Sequence, residues 1–204
     1  MNSASILKRD GKLVIVTGIN GVGKTTVLST MLKQLPPNLI VNVFNYGDVM
    51  LEIARTNGWA RDRDDIRKLP LDKQLLLQER AAEKLFNLAS RGNVVVDTHA
   101  LITTKNGFLP GLPRWVIETL RPDVIVLIEA SPEEIIRRRM NDTKRVRDDQ
   151  STVQEIELFL ELNRSAAISS AVFVGASVLI VKNVEGDATQ AASKIVKLFI
   201  PDNA

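Results

Sequence analysis

The stretch Gly18-Ile19-Asn20-Gly21-Val22-Gly23-Lys24-Thr25 constrains this chain more than any other segment. It has the form G-x-x-x-x-G-K-[ST]. It follows an apolar run, Leu13–Thr17, and precedes a helical pattern over Lys24–Gln34. Glycines let a backbone turn tightly and approach an anion closely. Successive N–H groups then form a concave nest, and the following helix adds partial positive charge from its N-terminus. The spacing therefore predicts a strand–loop–helix unit that holds the phosphates of a nucleotide. Lys24 is expected on the β- and γ-phosphates and Thr25 on Mg²⁺.

Four further β-rich runs follow: Leu39–Phe44, Val94–Asp97, Val124–Ile128 and Val178–Val181. Most are nearly continuous in Val, Ile and Leu, as strands buried on both faces of a parallel sheet are. Helical patterns alternate with them. Leu71–Arg91 carries apolar residues at helical spacing. Ser131-Pro132-Glu133-Glu134 and Asp187-Ala188-Thr189-Gln190 each read as a helix start. Strands alternating with helices predict an α/β fold with crossover connections. Val94-Val95-Val96-Asp97 reads as a second nucleotide motif, an apolar strand whose terminal carboxylate orients Mg²⁺ directly or through water.

Composition narrows the chemistry. The 204 residues contain no cysteine and one histidine, His99, which excludes thiolate and histidine-rich metal sites. Lys and Arg total 27 against 24 Asp and Glu. An excess of +3 does not argue for a nucleic-acid partner. The N-terminal residues 1–11 are polar, with no apolar signal core. The longest uncharged stretch, 165–181, contains four serines and a glycine, and reads as a small-residue helix face, a turn at Gly175 and a buried strand rather than a membrane span. A cytoplasmic protein with no membrane partner is expected.

Two regions break the alternation. Residues 47–91 are too many for a plain crossover. Residues 137–147 hold six basic residues and one acid, a local +5. Phosphoryl transfer asks for cations around the transferring group and exclusion of water. The second region is thus expected to close over ATP and the first to hold an acceptor.

With these segments stand Asn45-Tyr46-Gly47-Asp48, Asp62-Arg63-Asp64 with Arg67-Lys68-Leu69, Asp97-Thr98-His99, Gly107-Phe108-Leu109-Pro110-Gly111-Leu112-Pro113, Asp142-Thr143 with Arg145 and Arg147, and Asn183-Val184-Glu185-Gly186-Asp187. In this order and spacing the chain resembles the archaeal type of adenylate kinase, a branch of the P-loop nucleoside monophosphate kinases, over about residues 12–199. The resemblance implies ATP + AMP ⇌ 2 ADP with Mg²⁺. It implies a P-loop fold with a five-stranded parallel sheet flanked by helices, a monophosphate-binding insertion (about 47–91) and a short lid (about 137–149). The core is then 1–46, 92–136 and 150–204, and the assembly a homotrimer without nucleic acid. Carried over by position, Gly18 to Thr25 with Thr26, and Asn183, Glu185 and Gly186, bind ATP. Lys24, Arg138, Arg145, Arg147 and Arg164 are catalytic. Thr25 and, through water, Asp97 hold the metal.

The chain departs from the bacterial and eukaryotic pattern on the acceptor side. Leu51 stands where those enzymes place a phosphate-gripping arginine, and Asp97-Thr98-His99-Ala100 replaces their Asp-Gly-Phe-Pro-Arg. Gly47, Arg67, Arg63, Arg55 and His99 are the candidates for AMP, with Arg67 first. Arg63 reads equally as an ion-pair partner of Asp62, Asp64 or Asp65. His99 reads equally as a ligand to the acceptor or as a hydrogen-bond partner of nearby backbone. Kinases of UMP, CMP, dTMP or a sugar acid are the nearest alternatives. A nucleotide-dependent switch or nucleic-acid-associated ATPase is the alternative from another class.

Overall fold

The computed structural model describes residues 9–104, 107–141 and 152–200. In chain order the elements are β1 (Leu13–Thr17), α1 (Lys24–Gln34), β2 (Val41–Asn45), α2 (Tyr46–Thr56), α3 (Arg63–Lys68), α4 (Leu71–Ala89), β3 (Asn93–Asp97), β4 (Leu101–Thr104), β5 (Gly107–Pro110), α5 (Arg114–Leu120), β6 (Val124–Glu129), α6 (Pro132–Met140), α7 (Val153–Val172), β7 (Ser177–Lys182) and α8 (Ala188–Lys197). Five strands form one parallel sheet in the order β2-β3-β1-β6-β7. The expected α/β P-loop fold is present.

Side chains alternate across this sheet. Val14, Val16, Val95, Val126 and Ile128 meet Val27, Met31, Ile135 and Ile195 on one face. Leu13, Ile15, Val94, Val96 and Ile125 meet Val49, Leu85, Ile117 and Ala167 on the other. The run 47–91 supplies α2, α3 and α4. A small separate core of Ala54, Ala60, Ile66 and Leu77 holds these helices together. Leu85 is fully buried on α4 against the sheet. Leu85→Ala is expected to cost about 2–5 kcal/mol, read as a fall in the urea midpoint.

Two strand expectations need correction. The run at 39–44 begins two residues later, because Leu39 closes a turn by donating its N–H to the Pro36 carbonyl. The strand around 178–181 is not a buried one. Among the described residues β7 pairs only with β6, at the sheet edge; Ile180 is 43% exposed, and Val181 is the one fully buried side chain of β7. A continuous apolar run thus signals a doubly covered strand for β1, β3 and β6, but not for the edges.

The antiparallel hairpin β4–β5 lies outside the five expected strands. Its signal is the Asn106-Gly107 pair between two β-prone runs. The start of α6 follows the sequence. The Ser131 hydroxyl accepts from the Glu134 amide, and the Glu134 carboxylate accepts from the Ser131 amide.

Candidate nucleotide site at the carboxyl end of the sheet

β1 ends at Thr17, and the chain turns through Gly18 (φ 153°), Gly21 (φ 94°) and Gly23 (φ 87°) into α1. Gly23 occupies the N-cap of α1 and supplies no side-chain cap, so the helix opens with donors available to an anion. Lys24 Nζ donates to the Gly18 carbonyl at 3.0 Å, which holds the ammonium across the loop.

The carbonyl side of the loop is gripped from behind. Arg139 donates to the Asn20 carbonyl at 3.0 and 3.1 Å. Arg138 donates to Val22 at 3.0 Å, Gly21 at 3.4 Å and Asn183 at 3.2 Å. Asn183 Nδ2 donates to the Val22 carbonyl at 2.7 Å. Three successive carbonyls are thereby tied to α6 and to the end of β7. Peptide geometry turns the neighbouring amides the other way, as a phosphate nest requires.

Asp97 ends β3 beside Val16 of β1 and Asn45 of β2. Its Oδ2 accepts from Asn45 Nδ2 at 3.0 Å, while its buried Oδ1 has no partner among the described residues. A buried carboxylate oxygen without a donor calls for a water or an ion. Among the described residues no cluster of three or more His, Asp or Glu could hold a metal by itself. The Thr25 hydroxyl and Asp97 Oδ1 fit Mg²⁺, which keeps waters and phosphate oxygens and takes few protein ligands.

The acceptor candidates separate. Arg63 Nη2 donates to Asn45 Oδ1 at 2.6 Å and Asp48 Oδ1 at 2.7 Å. Its ion-pair partner is thus Asp48, not Asp62, Asp64 or Asp65. The guanidinium lies against Gly47, where a Cβ would come within 3.1 Å of Cζ. Arg67 pairs with Asp64 on its own helix, and both side chains are over 70% exposed. Arg55 donates to the Arg61 carbonyl and lines a separate cavity of about 640 Å³ with Trp59, Lys68 and Leu69. His99 Nδ1 lies 3.2 Å from the Gly18 carbonyl, a backbone contact. The structure gathers Gly47, Arg63, Asp97 and His99 near the strand ends. It leaves Arg67 and Arg55 further out on the insertion.

Arg164 on α7 forms a fork with Glu129 at the end of β6, through Nε at 2.5 Å and Nη2 at 2.7 Å. The Glu129 side chain is buried. Those hydrogen bonds push the guanidinium pKa further up, so Arg164 stays charged at any working pH. Glu185 pairs with Arg137. Gly186 turns in the left-handed region at φ 79°. Ile19 is buried in the core, and Thr26 follows on α1. Arg145 and Arg147 lie outside the described residues. Glu129 is absent from the residues that the sequence marks, and Asn45 stands there only within the segment Asn45-Tyr46-Gly47-Asp48, without a role. Glu129 carries the signal that marked Asp97, an acid closing an apolar run, and Asn45 is the polar residue that ends β2.

Glu134 braces the end of this site. Partial burial would raise its pKa, but amides of Ser131 and Glu185, the Ser131 hydroxyl and Arg138 outweigh that and lower it. The folded chain thus binds this proton more weakly than the unfolded chain. Its stabilisation is complete above the ordinary carboxylate range and is lost as pH falls through and below it. In melts between about pH 7 and about pH 3.5, the wild type should lose more melting temperature than Glu134→Gln.

Comparison with known proteins gives the family. Residues 17–157 match the model described as an AAA domain. The chain is 49% identical to the adenylate kinase of Sulfurisphaera tokodaii over 193 residues, 93% of this chain and 100% of that protein. It is 48% identical to the adenylate kinase of Methanothermobacter thermautotrophicus over 184 residues, 90% of this chain and 97% of that one. A solved shikimate kinase from Acinetobacter baumannii, in complex with shikimate, covers 93% of both chains with a TM-score of 0.58 at 17% identity, which speaks to fold alone. Among the described residues no helix is long and apolar enough to cross a membrane. The phosphate loop, the strand-end Asp97 and this identity over nine-tenths of the sequence lead to one assignment: the chain belongs to the adenylate kinase family of P-loop phosphotransferases.

Proposed function

We propose that the chain transfers the γ-phosphoryl group of ATP to AMP, reversibly, to give two ADP. The observation that carries this reading is the juxtaposition at the strand ends. The phosphate loop with Lys24 stands on β1, and Arg63 with Gly47 stands two strands away across Asp97. Donor and acceptor phosphates are anionic, and this arrangement gives each its own cationic seat.

Lys24 and the amides of 18–25 hold the donor phosphates. Asn183, Glu185 and Gly186 flank the adenine side. Arg138 holds the loop in shape from its carbonyl side. By their place in the family pattern Arg164, Arg145 and Arg147 neutralise charge on the phosphates. Arg63 receives the acceptor phosphate ahead of Arg67 and Arg55, since it alone of the three reaches Asn45 and Gly47. Mg²⁺, when bound near Thr25 and Asp97, neutralises phosphate charge. A monophosphate acceptor is already ionised at neutral pH, so His99 has no proton to abstract. Its bond to Gly18 sets the loop entrance. Lid closure excludes water and protects ATP from hydrolysis.

The reading extends to a cytoplasmic homotrimer without nucleic-acid or membrane partners. Exposed Ile168, Val172 and Phe173 at the end of α7 offer an apolar contact for a second copy. A coupled ADP assay with AMP, UMP, CMP, dTMP and shikimate as acceptors tests the specificity. AMP should be preferred by at least about tenfold. A better rate with another acceptor, or ATP hydrolysis stimulated by RNA without acceptor, would replace this reading.

A further inference from the structure

The amide of Asn45 touches both halves of the site. Asn45 and Asp97 are paired neighbours in the parallel β2–β3 register, so the sheet itself brings the two side chains to one level on one face. Asn45 Nδ2 donates to Asp97 Oδ2 at 3.0 Å, and Asn45 Oδ1 accepts from Arg63 Nη2 at 2.6 Å and from the Asp48 amide at 3.3 Å. The amide can sit only this way round. Its oxygen faces two donors and its nitrogen faces a carboxylate, and a flip would oppose like to like at all three contacts. Capping α2 explains only the longest of these bonds. Ser or Asp would cap as well, and neither offers the donor that reaches Asp97.

We propose that Asn45 is a positioning residue that joins the acceptor seat to the metal seat. It locks the Asp97 carboxylate with Oδ2 occupied and Oδ1 free, and it holds the Arg63 guanidinium over Gly47. The buried Oδ1, without a partner among the described residues, is the independent sign that this carboxylate is set for a further ligand. Arg63 arrives on α3 of the insertion, whereas Asp97 belongs to the rigid sheet. Asn45 is therefore the point at which acceptor binding and the metal site share one hydrogen-bonding group. This inference rests on the proposed phosphoryl transfer from ATP to AMP.

Two substitutions separate the roles. Asn45→Asp keeps the cap and the oxygen for Arg63 but faces Asp97 with an acceptor of like charge. Asn45→Ser keeps the cap and reaches neither partner. Three quantities are read on each: the melting temperature, the gain in affinity for a non-hydrolysable ATP analogue when Mg²⁺ is added, measured by calorimetry, and KM for AMP. In Asn45→Asp the Mg²⁺-dependent gain should fall about tenfold, with KM for AMP within about twofold of wild type. In Asn45→Ser the gain should fall and KM for AMP should rise. The melting temperature should stay closer to wild type in Asn45→Ser and fall further in Asn45→Asp, where two carboxylates oppose each other. A gain in Asn45→Asp equal to or larger than that of the wild type overturns the proposal and leaves Asn45 a helix cap. If instead wild-type protein forms no ADP from ATP and AMP while the calorimetric loss is still seen, the proposed reaction fails and the Asn45–Asp97 link stands.

Discussion

Lys24→Met should turn over about 10²–10³ times more slowly than the wild type, with a far smaller change in melting temperature. Lys24 opens α1, and its ammonium lies against the Gly18 carbonyl at the loop mouth. Methionine keeps the length and apolar stem of lysine but removes the charge. The fold does not rest on that charge, because the core beneath the loop is built from Val14, Val16, Val22 and Val27. A negative charge developing on the transferring phosphoryl group does rest on it. Steady-state rates and a thermal melt of the same sample separate the two effects. Near-wild-type turnover in folded Lys24→Met would refute the site.

Gly18→Ala should damage both stability and rate. An added Cβ at Gly18 would stand 2.5 Å from the Ile128 carbonyl oxygen and 3.0 Å from Val22 Cγ2. Ile128 belongs to β6, which is hydrogen-bonded to β1 on one side and β7 on the other. That carbonyl cannot retreat as a flexible side chain would. The φ of 153° is itself unfavourable for a residue with a Cβ. The chain should relieve the overlap by moving the loop, at a cost of about 1–3 kcal/mol. A phosphate nest displaced by about 1 Å loses on the order of a hundredfold in kcat/KM. Urea unfolding and steady-state kinetics test the two parts. Unlike Lys24→Met, this variant should show both losses together.

The fold was legible where local rules and tertiary context agree. The helix α1 and strand β1 fall at the residues that the phosphate-loop spacing and the apolar run mark. Ser131 and Glu134 reveal α6 because a capping box is made of neighbours in sequence. Edge strands were less legible. Val178–Val181 is as apolar as Val94–Val96, yet β7 has a neighbour on one side only. Sequence carries the apolar run but not the position in the sheet.

The site divides the same way. The loop and Asp97 are marked by local spacing, whereas each arginine is assigned by what it meets across the fold. Arg63 finds Asp48, 15 residues away, and Asn45, 18 away. Arg164 finds Glu129, 35 away. A helical spacing of three pairs Arg67 with Asp64 and draws its charge toward its own helix. That local pairing could be read from sequence. The reach of Arg63 back to β2 could not, because it depends on how α3 folds against α2.

The central claim is that one site holds ATP on the phosphate loop and AMP beside Arg63, and passes a phosphoryl group between them. Counting the products tests it most directly. Purified protein is given ATP, Mg²⁺ and AMP, and ADP formed is measured against ATP consumed, with a parallel reaction lacking AMP. The account predicts two ADP for each ATP consumed, and almost no ATP loss when AMP is absent. One ADP with one inorganic phosphate per ATP, at a rate indifferent to AMP, would contradict it.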